Sequence, residues 1–328
     1  MKKEISSVEK QFRLMEVFFR GLRGEQFTLG ELADEYHVSA KSISRDISDI
    51  RTFLAEHVEL VGNAQLLYSS STRKYRLQFD EFFCNREMFA IIKILIGSRA
   101  IEKAEMMQII EKLKRFSSIS DRKVISEMIF KEMYHYHGIF QQNRELLDLL
   151  WKLSICIQEK KEITITYYKM DRSQVERRIR PVSVIFSEYY FYLIAYDVSS
   201  EMTEPKYFRV DRIVGIVTHR NREGTVENDD FDEGKLRERS QFMFPGKLRK
   251  ILFEFSGPSV QAVLDRLPTA KILKAEKGKY TIQAEVYGDG IKMYLLSQGS
   301  WVKVIKPDKF VDEMKAEIRK MSKLYKSD

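Results

Sequence analysis

Near residue 160 the hydrophobic pattern of the chain changes period, and no single regular architecture accommodates both halves. Upstream, apolar side chains recur every three or four residues, as at Leu14, Val17, Phe18 and Leu22 of "QFRLMEVFFRGL", the spacing of one helix face. From "EITITYYKM" onward they alternate, with Ile163, Ile165 and Tyr167 on one side, the spacing of a half-buried strand. A chain of 328 residues also exceeds one typical domain, so a multidomain α+β protein of two to four units is expected. Its 44% hydrophobic and 32% charged residues suit packed domains rather than a disordered chain.

The first eighty residues predict a winged helix-turn-helix. "TLGELADEY" places Thr28 three residues ahead of Glu31, a capping box that satisfies two orphan amides at a helix start. Leu29, Leu32, Ala33 and Tyr36 give this helix its apolar stripe. After the short break "HVS", Ser39 caps a third helix, along which Ile43, Ile47, Ile50 and Leu54 fall on one side. At about 100° per residue, Lys41, Ser44, Arg45, Ser48 and Thr52 lie opposite, next to Ser42. These cations and hydroxyls suit phosphates and major-groove base edges. "LLYSSSTRKYRLQF" then reads as a hairpin in which Tyr75, Leu77 and Phe79 alternate with Lys74 and Arg76, so Arg73, Lys74 and Arg76 are candidate wing contacts to DNA. The alternative is a small helical domain used for protein contacts. "VSAKSISRDISDI", centred on Arg45-Asp46-Ile47, resembles the helix-turn-helix of DeoR-type regulators.

Residues 81–160 read as a helical linker that also serves dimerisation, with Asn85, Asp121 and Asn143 as expected caps. Leu146, Leu150, Leu153 and Ile157 line one face of its last helix. His135 and His137 are two apart and point to different sides of a helix, so no metal is expected there.

Between 161 and 240, four or five short strands with tight connections predict a small, strongly bent barrel. Pro181 interrupts one strand and marks an edge or a bulge. "FSEYYFYLIAY" alternates so that Phe191, Leu193 and Ala195 share one face and Tyr190, Tyr192, Ile194 and Tyr196 the other. A tyrosine face near arginines can stack a base and hold a phosphate, although the same residues also suit half-buried rings with arginines paired to Asp197 and Asp211. The stretch "RRIRPVSVIFSEYYFYLIAYDVSSEMTEPKYFRVDRI" resembles the WYL domain, with Phe191-Tyr192-Leu193 at the naming triplet and Phe in place of Trp. Arg178-Ile179, Pro181, Ala195-Tyr196-Asp197 and Phe208 to Ile213 complete the match. The resemblance implies an Sm-like five-stranded barrel that senses nucleic-acid fragments or nucleotides, with Arg178, Tyr192, Arg209 and Arg212 as binding candidates; Tyr167 is a further ligand-binding candidate.

Residues 241–328 follow the order βαββαβ, which predicts a ferredoxin-like α/β sandwich closed by a helix from Asp308 to about Tyr325. "YLLSQGSWVKVIKPDKFVDEM" resembles the extension that accompanies WYL domains.

The net charge of +8 arises mostly in this C-terminal region, so nucleic-acid binding rests on the placement of charge rather than on its sum. No P-loop, GxGxxG, GxSxG or HExxH occurs, and "PGKLRK" lacks the upstream glycine of a P-loop. No enzymatic activity, cofactor or metal is therefore expected. The two cysteines, Cys84 and Cys156, lie far apart without a CxxC partner and read as buried small hydrophobes. The N-terminus lacks a secretory apolar core and the apolar runs are too short for a bilayer, so a cytoplasmic location without a membrane partner is expected. The expected function is a homodimeric transcription regulator that binds a duplex operator and answers to a nucleotide or single-stranded effector; the alternative is an RNA- or single-strand-binding protein working through the barrel. A hydrolase or nucleotidyl enzyme of unfamiliar type is the third reading.

Overall fold

A computed structural model of the chain describes residues 2–78, 85–117, 119–139, 145–199, 205–219, 231–240 and 242–325. It divides into two compact units, one up to residue 139 and one from residue 140.

The first unit opens with α1 (Lys2–Leu22), β1 (Gln26–Phe27), α2 (Leu29–Glu35), α3 (Ala40–Glu56), the short α4 (Val58–Val61), β2 (Gln65–Ser69) and β3 (Lys74–Gln78). Both predicted caps form. Thr28 Oγ1 accepts the Glu31 N–H at 3.1 Å while Glu31 Oε2 accepts the Thr28 N–H at 2.7 Å, and Ser39 Oγ accepts the Ser42 N–H at 3.2 Å. Val17, Phe27, Leu32, Ile43, Ile47 and Leu54 bury their side chains with Leu66 and Leu77 of the hairpin in one core. Strand β1 makes β3 the middle of a three-stranded sheet in the order β1-β3-β2. Phe79, Cys84 and Asn143 lie outside the described residues.

Three helices follow: α5 (Asn85–Ser98), α6 (Lys103–Lys114) and α7 (Ile119–Tyr134). Their buried residues recur at helical spacing, as at Met88, Ile92 and Ile96 of α5. Asp121 is not the cap it was expected to be: α7 begins two residues earlier, and the Asp121 carboxylate accepts Asn85 Nδ2 at 2.7 Å. Asn85 itself is the first residue of α5.

The second unit begins with α8 (Leu146–Gln158), β4 (Ile163–Tyr168), β5 (Gln174–Ser187), β6 (Tyr190–Asp197), β7 (Lys206–Arg209) and β8 (Ile213–Thr218). The five strands form one antiparallel sheet in the order β7-β6-β5-β4-β8. A 3₁₀ turn, Val210–Arg212, joins its two outer strands. Helix α8, expected as part of the helical linker, packs on this sheet. Leu146, Leu149, Leu153 and Cys156 pack with Ile163, Ile165, Ile179, Leu193 and Ala195, so this helix supplies one wall of the sheet's core. Pro181 lies on a central strand rather than an edge, and the ladder shifts register between Pro181 and Ser183, the bulge that a missing N–H requires.

The remainder is α9 (Glu233–Arg239), β9 (Leu248–Phe255), α10 (Val260–Arg266), β10 (Lys271–Glu276), β11 (Lys279–Tyr287), α11 (Gly290–Ser297), β12 (Val302–Lys306) and α12 (Asp308–Leu324). Its sheet has the order β10-β11-β9-β12, all antiparallel, the interleaving that a βαββαβ chain produces when each helix returns across one face. Lys277 and Gly278, with φ of 47° and 78°, form the β10–β11 turn, where two positive φ values match the twist of the flanking strands. Phe253, Phe255, Ile282, Val263, Leu295 and Phe310 meet in the core beneath the helices.

Candidate functional site

Two sets of side chains carry recognition chemistry, one in each unit. In the first, burial of Ile43, Ile47, Ile50 and Leu54 turns the opposite face of α3 outward, and Lys41, Ser44, Arg45, Ser48 and Thr52 are all exposed. Ser42 is half-buried instead: its hydroxyl lies 2.9 Å from Ser39 Oγ and belongs to the cap. Arg73 is exposed in the hairpin turn with φ of 54°, Arg76 is exposed on β3, and Lys74 lies 3.8 Å from Glu31. Arg51 holds this hairpin to α3, donating from Nε to the Leu66 carbonyl at 2.9 Å with its guanidinium 5.6 Å from the centre of the Tyr75 ring.

Three cations of α1 are paired with carboxylates. Lys10 meets Asp49 at 2.7 Å, Arg13 meets Asp46 at 2.6 Å, and Arg20 meets both Glu25 and Glu35. Among the described residues, Lys41, Arg45 and Arg73 form no ion pair. Asp46, at the centre of the DeoR-like motif, is 1% exposed; it ties α3 to α1 and does not face outward.

In the second unit the ladder sets Tyr192 opposite Arg209. Arg209 is held twice: Nε and Nη2 donate to the two Asp211 carboxylate oxygens at 3.0 and 2.8 Å, and the guanidinium lies 3.4 Å from the centre of the Tyr190 ring. The Tyr190 and Tyr192 rings meet edge to face at 6.4 Å. Burial pushes the Tyr192 hydroxyl above its ordinary pKa, with the charges of Arg209 and Arg212 acting against it, so at neutral pH it is a hydrogen-bond donor. Arg209 Nη1 and the Arg212 guanidinium have no hydrogen bond among the described residues. The cluster therefore offers two cations, a phenol donor and a ring within one patch.

Two expected members lie elsewhere. Arg178 pairs across the sheet with Thr164 and donates to the buried Glu162 carboxylate at 3.0 and 2.8 Å. Its neighbour Ile179 sits opposite Asp197, which puts Arg178 about 20 Å along β6 from Tyr192. The Tyr167 ring packs edge to face on Phe208 at 5.4 Å, against the sheet core. The expected division of β6 into a core face and a recognition face is also incomplete: Leu193 and Ala195 are buried on one side, and Ile194 and Tyr196 on the other. Sequence reasoning missed the role of Tyr190, which only the strand register places over Arg209.

Among the described residues no group of three His, Cys, Asp or Glu side chains is placed to hold a metal ion, and no helix is long and apolar enough to cross a membrane.

A family model of the WYL domain matches residues 148–218, from within α8 to the end of β8. No curated protein matches the chain. Among solved structures, the proteasome accessory factor B/C (PafBC) of Arthrobacter aurescens is 15% identical over 91% of this chain and 46% of its own, with a TM-score of 0.29. The present chain thus spans about half the length of that protein. A CRISPR Cas-related protein is 14% identical over 75% of this chain and 74% of its own, with a TM-score of 0.39. No catalytic family is among these matches.

Proposed function

We propose that the chain is a DNA-binding transcription regulator that reads a duplex with α3 and the hairpin and answers to an anionic ligand through its WYL domain. The observation that carries this reading is the exposed, apolar-free face of Lys41, Ser44, Arg45 and Ser48, whose two cations form no ion pair among the described residues, on a domain that also exposes Arg73 and Arg76 on its hairpin. Long basic side chains held away from carboxylates are available to phosphates and base edges without first breaking an internal pair. The proposed layout is a winged helix-turn-helix over residues 1–80, a helical region after it, an Sm-like barrel that includes α8, and a ferredoxin-like unit from 241. A homodimer is part of the proposal, since two recognition helices then reach half-sites about one helical turn apart or a multiple of that.

For the effector, the proposed contacts are Arg209 Nη1, Arg212 and the Tyr192 hydroxyl, which suit a phosphate beside a stacked base. Such a ligand regulates DNA binding only through tighter binding to one state of the protein than to another. The same ring-and-cation patch favours a second reading, a single-strand-binding protein acting through the barrel.

Duplexes recovered by genomic footprinting of the native protein provide the test. Lys41→Ala/Arg45→Ala is expected to weaken their binding at least tenfold and to flatten the slope of log K against log salt by about one to two. Equal binding of variant and wild type across the salt series would overturn the assignment of α3.

A further inference from the structure

We propose a second ligand site in the unit from residue 140: a cleft that takes a planar aromatic ring carrying an anionic group, of the size of a nucleoside monophosphate. The cleft has a volume of about 360 Å³, and its walls include Tyr196 of β6, Tyr207 of β7, Phe231 and Lys235 at α9, Lys247 before β9 and Tyr287 of β11. Four rings from four separate segments make walls suited to stacking a flat ring. The volume lies near the lower end of ligand sites, which run to roughly 300–1,000 Å³, and so admits one nucleotide but not a buried strand.

The charge at this cleft is positive. Its carboxylate, Asp232, is already engaged: it caps α9 by accepting the Lys235 N–H at 2.9 Å and meets Lys235 Nζ at 3.2 Å. Lys247 has no ion pair among the described residues. A backbone crossing fixes its position. Gly246 has a φ of +151°, and a Cβ there would come within 2.7 Å of Gly288 Cα; only two glycines let the chains approach so closely. The Gly288 N–H donates to the Lys247 carbonyl at 3.2 Å, which brings Lys247 and Tyr287 to the same rim.

The cleft is separate from the Arg209 cluster. Tyr192 and Tyr196 share a face of β6 but stand four residues, about 13 Å, apart. Ile185, Ile194, Leu236 of α9 and Met243 form a small apolar core on the same sheet, with Tyr192 and Tyr207 packed against it. A ligand in the cleft touches barrel strands, α9 and the C-terminal sheet together, and so favours the arrangement in which all three are packed.

Isothermal titration of the full chain with AMP, GMP, CMP, UMP, salicylate and inorganic phosphate tests the site. We expect at least one aromatic anion to bind saturably, and Lys235→Ala/Lys247→Ala to weaken at least tenfold one site per chain that inorganic phosphate alone does not fill, with an unchanged circular dichroism spectrum. An Arg209→Lys arm alters only binding at the Arg209 cluster, so the site removed in Lys235→Ala/Lys247→Ala should persist in it. Absence of saturable binding by every probe overturns the proposal, as does an isotherm that Lys235→Ala/Lys247→Ala leaves unaltered or that is wholly lost in Arg209→Lys. The last outcome assigns the ligand to the Arg209 cluster and leaves the proposed function standing.

Discussion

At the scale of single residues, the charges of the barrel are set by partners that alternation alone does not identify. Asp197 is buried, and its carboxylate takes Lys206 Nζ at 2.6 Å and the Ser199 N–H at 3.0 Å. These contacts, Lys206 foremost, hold its pKa down to about 2, below the ordinary 3.8. A carboxyl whose folded pKa is depressed stabilises the fold fully above its unfolded value and loses that contribution as pH falls toward the folded one. Asp197→Asn is therefore expected to cost roughly 1–3 kcal/mol at neutral pH in denaturant titrations, and the gap to wild type should close between about pH 4 and pH 2. A gap that stays constant down to pH 2 would show that the lysine contact does not hold the carboxylate. The sequence offered Asp197 and Asp211 as partners for arginines; Asp211 does take Arg209, whereas Asp197 takes Lys206, because the β6–β7 ladder sets Lys206 beside Ala195 at that end of the strand.

At the scale of elements, α1 and α3 are fastened by an ion pair sunk in their contact. Arg13 Nε meets Asp46 Oδ2 at 2.6 Å, with side-chain exposures of 12% and 2%, and Asp46 Oδ1 has no partner among the described residues. Removing one member leaves a buried charge uncompensated, so Arg13→Met is expected to destabilise by about 3–5 kcal/mol, and Arg13→Met/Asp46→Leu by much less. A denaturant-measured cost under about 1 kcal/mol for Arg13→Met would mean that Asp46 is solvated. The caps and the face of α3 were legible in the sequence because they are local: Thr28 and Glu31 are three residues apart, and a helix fixes its own faces. The role of Asp46 was not, since a single polar residue next to a buried stripe is assigned inside or outside only by what a distant helix brings to it.

At the scale of the whole molecule, the boundary near residue 140 separates the proposed DNA-reading face from both proposed ligand sites. Residues 1–139 and 140–328, produced separately, are each expected to unfold cooperatively, and the first should retain duplex binding while the second retains aromatic-anion binding. Loss of cooperative unfolding in either fragment would refute the boundary. Sequence reading placed α8 with the helices before it, because period reports the type of an element and not what covers its apolar face; in the folded chain Leu146, Leu149 and Leu153 cover the sheet that follows. By itself the sequence determined most of the order of helices and strands, though not β1, α4 or α9, together with the capped turn before α3 and its polar outer face, which contacts between residues near in the chain set, and the WYL stretch, which its ordered motifs marked. Only the tertiary structure decided that Arg178 stands apart from Tyr192, that Tyr190 stacks on Arg209, and that four rings and two lysines enclose a cleft, since strand register and the packing of distant segments put those side chains in place.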